Sequence, residues 1–462
     1  MGTRETRKRE GWEQQRFWKV HGLLSAMALL CIAFFTSCKQ GKPQVKEAFE
    51  EERPNVVFIL SDDQAWTDYG FMGHEHIQTP NIDKLAKEGH TFTRGYVPTS
   101  LCAPSLASII TGVYPRGHGV LGNDRVLPGD DKKGKAAWAM PWRSTNYLPV
   151  IETFKTLNTL PKILKAEGYC SFQTGKWWIG NYANGGFDRG MTHGDPERGG
   201  RHGDYGLEIG RKGMDTLYRY IDMALEKKKP FFMWYAPFLP HAPHNPPDSL
   251  LQKYLPHAPT AYVAKYWAMC EWFDSTCGQL MDYIEKVGQA KNTLFVYVCD
   301  NGWVQNENQR GYDPISKQAP YDYGLRTPII YRWQGKIPPK LDERSLTSSL
   351  DMVPTVLELL GIERPKHLDG IDIRDVAERE DRKAIFGEIY QHDFHTVAES
   401  LKYQIVITDP YKLIVPNTVN RPDGHIQLFH SYQDPFEQQD LAGAHPEIVK
   451  TLQGTLAAEW KE

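Results

Sequence analysis

Asn55-Val56-Val57-Phe58-Ile59-Leu60-Ser61-Asp62-Asp63 is the stretch on which the fold turns. Val56 to Leu60 is an unbroken apolar run. A strand with one wet face alternates apolar and polar residues, whereas a strand covered on both faces does not. The run therefore predicts a buried strand of a parallel sheet, and it feeds directly into two acids. Thr293-Leu294-Phe295-Val296-Tyr297-Val298 repeats the arrangement, passing through Cys299 into Asp300-Asn301-Gly302. Phe231 to Tyr235 reads as a third core strand. In an open parallel sheet the carboxyl ends of the strands share one rim, and ligands bind there.

Working outward, helical stretches are expected over Asn81 to Glu88, Leu160 to Glu167 and Val353 to Leu360, stopped by Gly89, Gly168 and Gly361. Strands alternating with helices predict an α/β fold, a large and mostly parallel sheet flanked by helices, over residues 54–385. Residues 181–213 are crowded with Gly, Arg and His and lack periodicity, so a long surface excursion is expected there. Beyond residue 385 the segments shorten. Tyr403 to Ile407 and Lys412 to Val415 are strand-like, and Pro446 to Trp460 is an amphipathic helix. Residues 386–462 thus read as a small C-terminal α+β subdomain.

The 462 residues are 40% hydrophobic and 24% charged, with a formal net charge of -3. That is a globular composition, and it carries no basic field of the kind nucleic acid requires. The N-terminus stands apart. Arg4, Arg7, Lys8, Arg9, Arg16 and Lys19 precede the short apolar run Leu23 to Phe35, which ends in Phe35-Thr36-Ser37-Cys38. This predicts an export signal over residues 1–38 that resembles a bacterial lipobox. Cys38 would carry the lipid, residues 39–53 would be a tether, and the protein would be held in the periplasm or at the cell surface. The remaining cysteines, Cys102, Cys170, Cys270, Cys277 and Cys299, show no metal-type spacing and no readable disulfide pairing.

Asp62, Asp63, Asp300 and Asn301 are hard oxygen donors at the ends of two buried strands. Such a set suits calcium or magnesium and not zinc. Cys102-Ala103-Pro104-Ser105-Leu106-Ala107-Ser108-Ile109-Ile110-Thr111-Gly112 supplies the second element. Pro104 is placed as a first helical residue and Gly112 as a stop. Cys102 is then expected just before a helix N-terminus, where the dipole favours negative charge.

Cys102-Ala103-Pro104-Ser105, with Thr111-Gly112 and Tyr114-Pro115 downstream, resembles the sulfatase signature. Gly168-Tyr169 through Gly175-Lys176-Trp177 resembles the second signature, and Pro240-His241-Ala242-Pro243 resembles the catalytic histidine segment. Asp300-Asn301-Gly302 and Lys317, followed by Tyr321, Gly324, Arg326 and Pro328, resemble further landmarks. So do Leu368-Asp369-Gly370, Leu428-Phe429 and Asp434-Pro435 in the C-terminal part. The resemblance implies an alkaline-phosphatase-like fold and hydrolysis of sulfate esters. It also implies that Cys102 is oxidised to formylglycine by a maturating enzyme and completes the metal set. The hydrated aldehyde attacks sulfur, and its second hydroxyl later expels sulfate. Lys176 and Lys317 are expected to hold sulfate oxygens, and His241 to protonate the leaving alcohol, a task suited to an imidazole pKa.

Two positions depart from the family pattern. Leu106 stands where an arginine is usual, and Trp178 where a histidine is usual. They suggest either a remodelled pocket in which Trp178 packs over Leu106, or a Cys102 left unmodified with weak or absent sulfatase activity. Trp178, Arg201, His202 and Arg211 are the expected substrate contacts, with Arg198 and Asp204 in the same excursion. A sulfated glycan is the expected substrate. A phosphodiester or phosphonate hydrolase of the same superfamily, or a non-catalytic binder of sulfated glycans, are the competing expectations.

Overall fold

The computed structural model describes residues 53–125, 143–195, 198 and 200–460. The export signal, Cys38 and nearly all of the tether lie outside the described residues. Ten strands come first: β1 (Asn55–Ser61), β2 (His90–Tyr96), β3 (Asp124–Arg125), β4 (Cys170–Gly175), β5 (Arg189–Gly190), β6 (Phe231–Ala236), β7 (Thr293–Cys299), β8 (Arg326–Trp333), β9 (Lys340–Asp342) and β10 (Thr347–Ser348). Five follow: β11 (Ile385–Tyr390), β12 (Asp393–Phe394), β13 (Leu401–Ile407), β14 (Tyr411–Pro416) and β15 (Gln427–His430).

Among the described residues the large sheet has the order β10-β2-β8-β7-β1-β6-β4-β5, with β9 beside β2. Pairings are parallel except those of β8, which runs against both β2 and β7. β1 sits at the centre and is buried along its length. Its alternation explains the unbroken apolar run. Val56, Phe58 and Leu60 enter one core cluster, and Val57 and Ile59 enter the cluster on the opposite face. β7 divides in the same way, with Leu294, Val296 and Val298 on one side and Phe295 and Tyr297 on the other.

Helices cover both faces. Pro80–Glu88, Leu160–Ala166 and Met352–Leu359 form within a residue or two of the expected spans. The excursion over residues 181–213 is not wholly at the surface. It contributes the edge strand β5 and buries Thr192 and Ile209. Asp204 organises it by accepting the backbone N–H groups of His193, Gly194 and Asp195.

The C-terminal sheet runs β11-β13-β14-β15, all antiparallel. One face, with Val406, Leu413 and Leu428, packs on Leu452 and Leu456 of helix Pro446–Glu459. Ile405, Ile414 and Phe429 join the main core, so the small sheet is welded to the large one. A buried triad reinforces the join: Lys412 Nζ lies 2.7 Å from Asp322 Oδ1 and 2.6 Å from Glu437 Oε1.

Candidate active site

Strand register builds the rim. Ser61 pairs with Cys299, so Asp62 and Asp300 are the first residues past the ends of adjacent strands. On the far side of β6, Gly175 pairs with Ala236, and Lys176 follows at once. Gly175 has φ 75°, and a Cβ there would lie 1.8 Å from the Ala236 carbonyl oxygen. Only glycine lets the chain turn at that point and deliver Lys176 to the rim.

Asp62, Asp63, Asp300 and Asn301 are all buried. The Asp63 backbone N–H donates to Asp300 Oδ1 at 3.2 Å, and Asn301 Nδ2 donates to Asp63 Oδ1 at 2.7 Å. Among the described residues, Asp62 Oδ2, Asp63 Oδ2, Asp300 Oδ2 and Asn301 Oδ1 accept no hydrogen bond. A buried acceptor without a donor costs roughly 1–3 kcal/mol, and more when charged. Four such oxygens on one rim fit the ligand set of a hard cation. One candidate ligand atom from each of Asp62, Asp63, Cys102 and His241 lies within 4.8 Å of the others.

Two lysines enter the same space. Lys176 Nζ bonds Asp62 Oδ1 and lies 3.5 Å from Asp300 Oδ2. Burial opposes its charge, but Asp62, Cys102 and Asp300 outweigh burial and hold it above its ordinary range. Lys317 Nζ lies 2.5 Å from Asp63 Oδ1. Burial is the largest influence on Asp62 and Asp300, and it raises both carboxyls against the pull of Lys176.

His241 lies in the loop after β6. Its Nδ1 is 2.6 Å from the Ala242 carbonyl oxygen, and its Nε2 is 3.4 Å from Asp63 Oδ2. A carbonyl only accepts, so Nδ1 carries the hydrogen and Nε2 faces the site. Burial, then Lys176 and Lys317, push this imidazole well below its ordinary range. Burial first, and then the two neighbouring ammonium groups, favour the uncharged ring more than in a free imidazole.

Cys102 is the first residue of helix Cys102–Thr111, with Leu101 as N-cap. It lies two residues further into the helix than the position of Pro104 suggests, because a proline is also tolerated deeper in the first turn, where no intrahelical N–H is needed. Gly112 ends the helix at φ 70°. Burial pushes the thiol up to about 12, with Lys176 and Lys317 opposing. As a thiol, position 102 is protonated at neutral pH and a poor nucleophile. Two residues that the sequence reading passed over brace this helix. Asn123 Oδ1 accepts the Ala103 N–H at 3.0 Å. His118 Nδ1 accepts the Val120 N–H at 3.1 Å, and its Nε2 lies 3.0 Å from Ser108 Oγ. Both stand close after the Cys102 signature, which was the available signal.

A family model described as Sulfatase matches residues 54–362. The chain belongs to the sulfatase family. A second model, N-sulphoglucosamine sulphohydrolase, C-terminal, matches residues 312–462. The chain is 24% identical over 478 residues to the Ulvan-active sulfatase of Formosa agariphila, covering 94% of this chain and 85% of that one. It is 26% identical over 457 residues to N-acetylgalactosamine-6-sulfatase of Canis lupus familiaris, covering 87% and 84%. The crystal structure of Ps i-CgsB in complex with k-i-k-neocarrahexaose shares the fold, with a TM-score of 0.68 at 22% identity, over 88% of this chain and 93% of that one. The protein is a sulfuric ester hydrolase on an alkaline-phosphatase-like fold.

In this sulfatase Leu106 and Trp178 are buried in one apolar cluster with Cys102 and Ala103. Apolar packing fills the two places where basic groups are usual. Trp178 has the Arg201 guanidinium 4.8 Å from its ring centroid and Lys176 Nζ 5.9 Å away. His202 meets Trp178 edge-on at 4.8 Å and lies 6.3 Å from His241. Arg201 pairs with Asp124 through both carboxylate oxygens and lies 2.9 Å from His202 Nε2. Trp178, Arg201 and His202 thus converge beside His241. Arg198 instead stacks on Tyr205 and pairs with Asp195. Arg211 reaches the His241 loop and commits four of its five N–H donors to it. Phe238, which the sequence reading missed, stacks on the His241 ring at 4.1 Å.

Proposed function

We propose that this sulfatase removes sulfate from a sulfated glycan, using formylglycine made from Cys102 and one calcium or magnesium ion held by Asp62, Asp63, Asp300 and Asn301. Position 102 completes the metal set. The observation that supports this reading is the group of four buried, undonated oxygens on the rim that faces Cys102. When bound, the dication supplies positive charge that favours an ionised nucleophile and draws charge from the sulfate oxygens.

The chain's own groups do the rest. Three carboxylates against two ammonium groups leave the site negative, and a dication reverses that sign, as binding of an anion requires. Lys176 and Lys317 hold sulfate oxygens as point charges. The bond from Nδ1 to the Ala242 carbonyl keeps His241 Nε2 pointed inward. A sulfate ester beside the ring offsets the two lysines and raises its affinity for the proton it gives to the leaving alcohol. Trp178, Arg201 and His202 form the wall for the alcohol part. The names of relatives, an ulvan-active and an N-acetylgalactosamine-6 sulfatase, favour a carbohydrate there. A maturating enzyme is the implied partner, and a lipid at Cys38 the implied anchor.

The test is mass spectrometry of the peptide containing position 102, from a host that matures sulfatases. It is paired with metal analysis and turnover of 4-nitrophenyl sulfate against bis(4-nitrophenyl) phosphate. An aldehyde mass, about one bound calcium or magnesium, sulfate-ester preference and sulfate release from sulfated polysaccharide are expected. An intact thiol would remove the nucleophile, a phosphodiester preference would move the enzyme to the competing class, and glycan binding without release would leave a lectin.

A further inference from the structure

We infer that Arg211 is a positioning residue for His241, a clamp that sets the place and tautomer of its imidazole. The inference rests on the role given to His241 above. Arg211 sits in a tight turn that the Gly210 N–H closes onto the Gly213 carbonyl at 3.1 Å. From there its guanidinium reaches the loop that leaves β6. Nε donates to the Phe238 carbonyl at 2.8 Å and Nη2 to the His241 carbonyl at 2.7 Å. Nη1 donates to Asn245 Oδ1 at 2.6 Å and to the Pro243 carbonyl at 3.4 Å. A guanidinium has five N–H donors. Four are committed to this one loop, so no fork remains for a sulfate or a sugar carboxylate.

The loop has no helix or strand ladder of its own across these positions, and its Phe238 and His241 carbonyls take their hydrogen bonds from Arg211. The two bonds to Phe238 and His241 bracket Leu239 and Pro240, and Leu239 in turn accepts the Asp62 N–H at 3.1 Å. The clamp therefore fixes the loop against the acidic rim. The next link is His241 itself. Its Nδ1–H points at the Ala242 carbonyl, one residue past the clamped one. Where that carbonyl goes, the ring follows, and Nε2 is kept 3.4 Å from Asp63 Oδ2. Phe238, clamped through its own carbonyl, stacks its ring on the imidazole at 4.1 Å. Arg211 thus sets both the hydrogen-bond acceptor and the aromatic backstop of the acid. Lysine cannot replace it, because one ammonium does not span carbonyls on either side of a two-residue bend.

The experiment compares Arg211→Ala and Arg211→Lys in wild-type and His241→Ala backgrounds, on 4-nitrophenyl sulfate and on phenyl sulfate. Phenol is the poorer leaving group and needs the proton more. In the wild-type background both variants are expected to lose about tenfold to a hundredfold in kcat on phenyl sulfate, with KM nearly unchanged and a smaller loss on the nitrophenyl ester. With His241 already removed, neither variant loses more. Guanidine added to Arg211→Ala restores part of the rate. An equal loss in both backgrounds, or a change confined to KM, would overturn the clamp. If one variant does not fold, the other carries the comparison. Histidine 15N shifts, assigned by the His241→Ala spectrum, need no turnover: Arg211→Lys should move His241 away from the Nδ1–H form. An inert wild type would count against the proposed function, while an unchanged His241 signal would count against Arg211.

Discussion

Lys317 Nζ and Asp63 Oδ1 lie 2.5 Å apart, although 254 positions separate the two residues in the chain. The same oxygen accepts Asn301 Nδ2 at 2.7 Å, so Oδ1 is saturated and Oδ2 is turned to the site. Lysine and amide together orient the carboxylate before any ligand arrives.

Replacing Lys317 by alanine is expected to lower kcat/KM on an aryl sulfate by about a hundredfold to a thousandfold, the range for losing one group that stabilises transition-state charge. Lys317→Arg should not recover it, because the planar fork is too large for a buried point-charge position. Steady-state kinetics on refolding-checked protein decides, and a loss under tenfold would remove Lys317 from the chemistry.

Chelation should destabilise the protein. Repulsion among Asp62, Asp63 and Asp300 is relieved by a cation, and a ligand at a hundred times its Kd stabilises by about 2.7 kcal/mol. Calcium added after EDTA should raise the Tm by a few degrees. Asp300→Asn should abolish that response while folding normally. Equal calcium shifts in both proteins would place the metal elsewhere.

His118 predicts an acid limit of stability. Burial pushes its imidazole from 6.5 down to about 3, so it is neutral in the fold. The unfolded chain takes up the proton first. Its contribution is complete above pH 6.5 and is lost as pH falls towards the folded value, by about 5 kcal/mol at most. Urea titrations at several pH values should show a shallower decline between pH 6 and 4 in His118→Gln than in wild type. Parallel curves would mean that His118 does not stay neutral.

The triad of Lys412, Asp322 and Glu437 makes a prediction about stability. Burial raises the Glu437 carboxyl to about 7 even with Lys412 beside it. Lys412→Met leaves two buried acids with no cation and is expected to cost about 3–5 kcal/mol at neutral pH. Asp322 lies just after Lys317, so the variant should also lose activity before it unfolds globally. Thermal melts and residual activity, measured on the same samples, separate the two effects.

The central sheet was legible because β1 and β7 bury both faces, which leaves an apolar run that no surface strand would keep. Asp62, Asp63, Asp300 and Asn301 were legible for the same reason, since register carries strand ends to one rim. The antiparallel β8 was not, because Arg326–Trp333 reads alike in either direction. Residues 181–213 showed no periodicity because their order comes from Asp204 gathering three N–H groups and from distant carbonyls. Arg211 looked like a substrate contact for that reason: its partners at Phe238 and His241 lie 27 and 30 positions away. Only tertiary structure brings them within reach.

Cys102 is 1% exposed at the start of its helix, and Lys176 and Lys317 beside it are buried too. A catalyst that must grasp this peptide to oxidise its sulfur finds nothing to hold once the sheet has closed. On the proposed formylglycine route, conversion and folding would compete for the same nascent segment, and a molecule that collapsed first would keep its thiol.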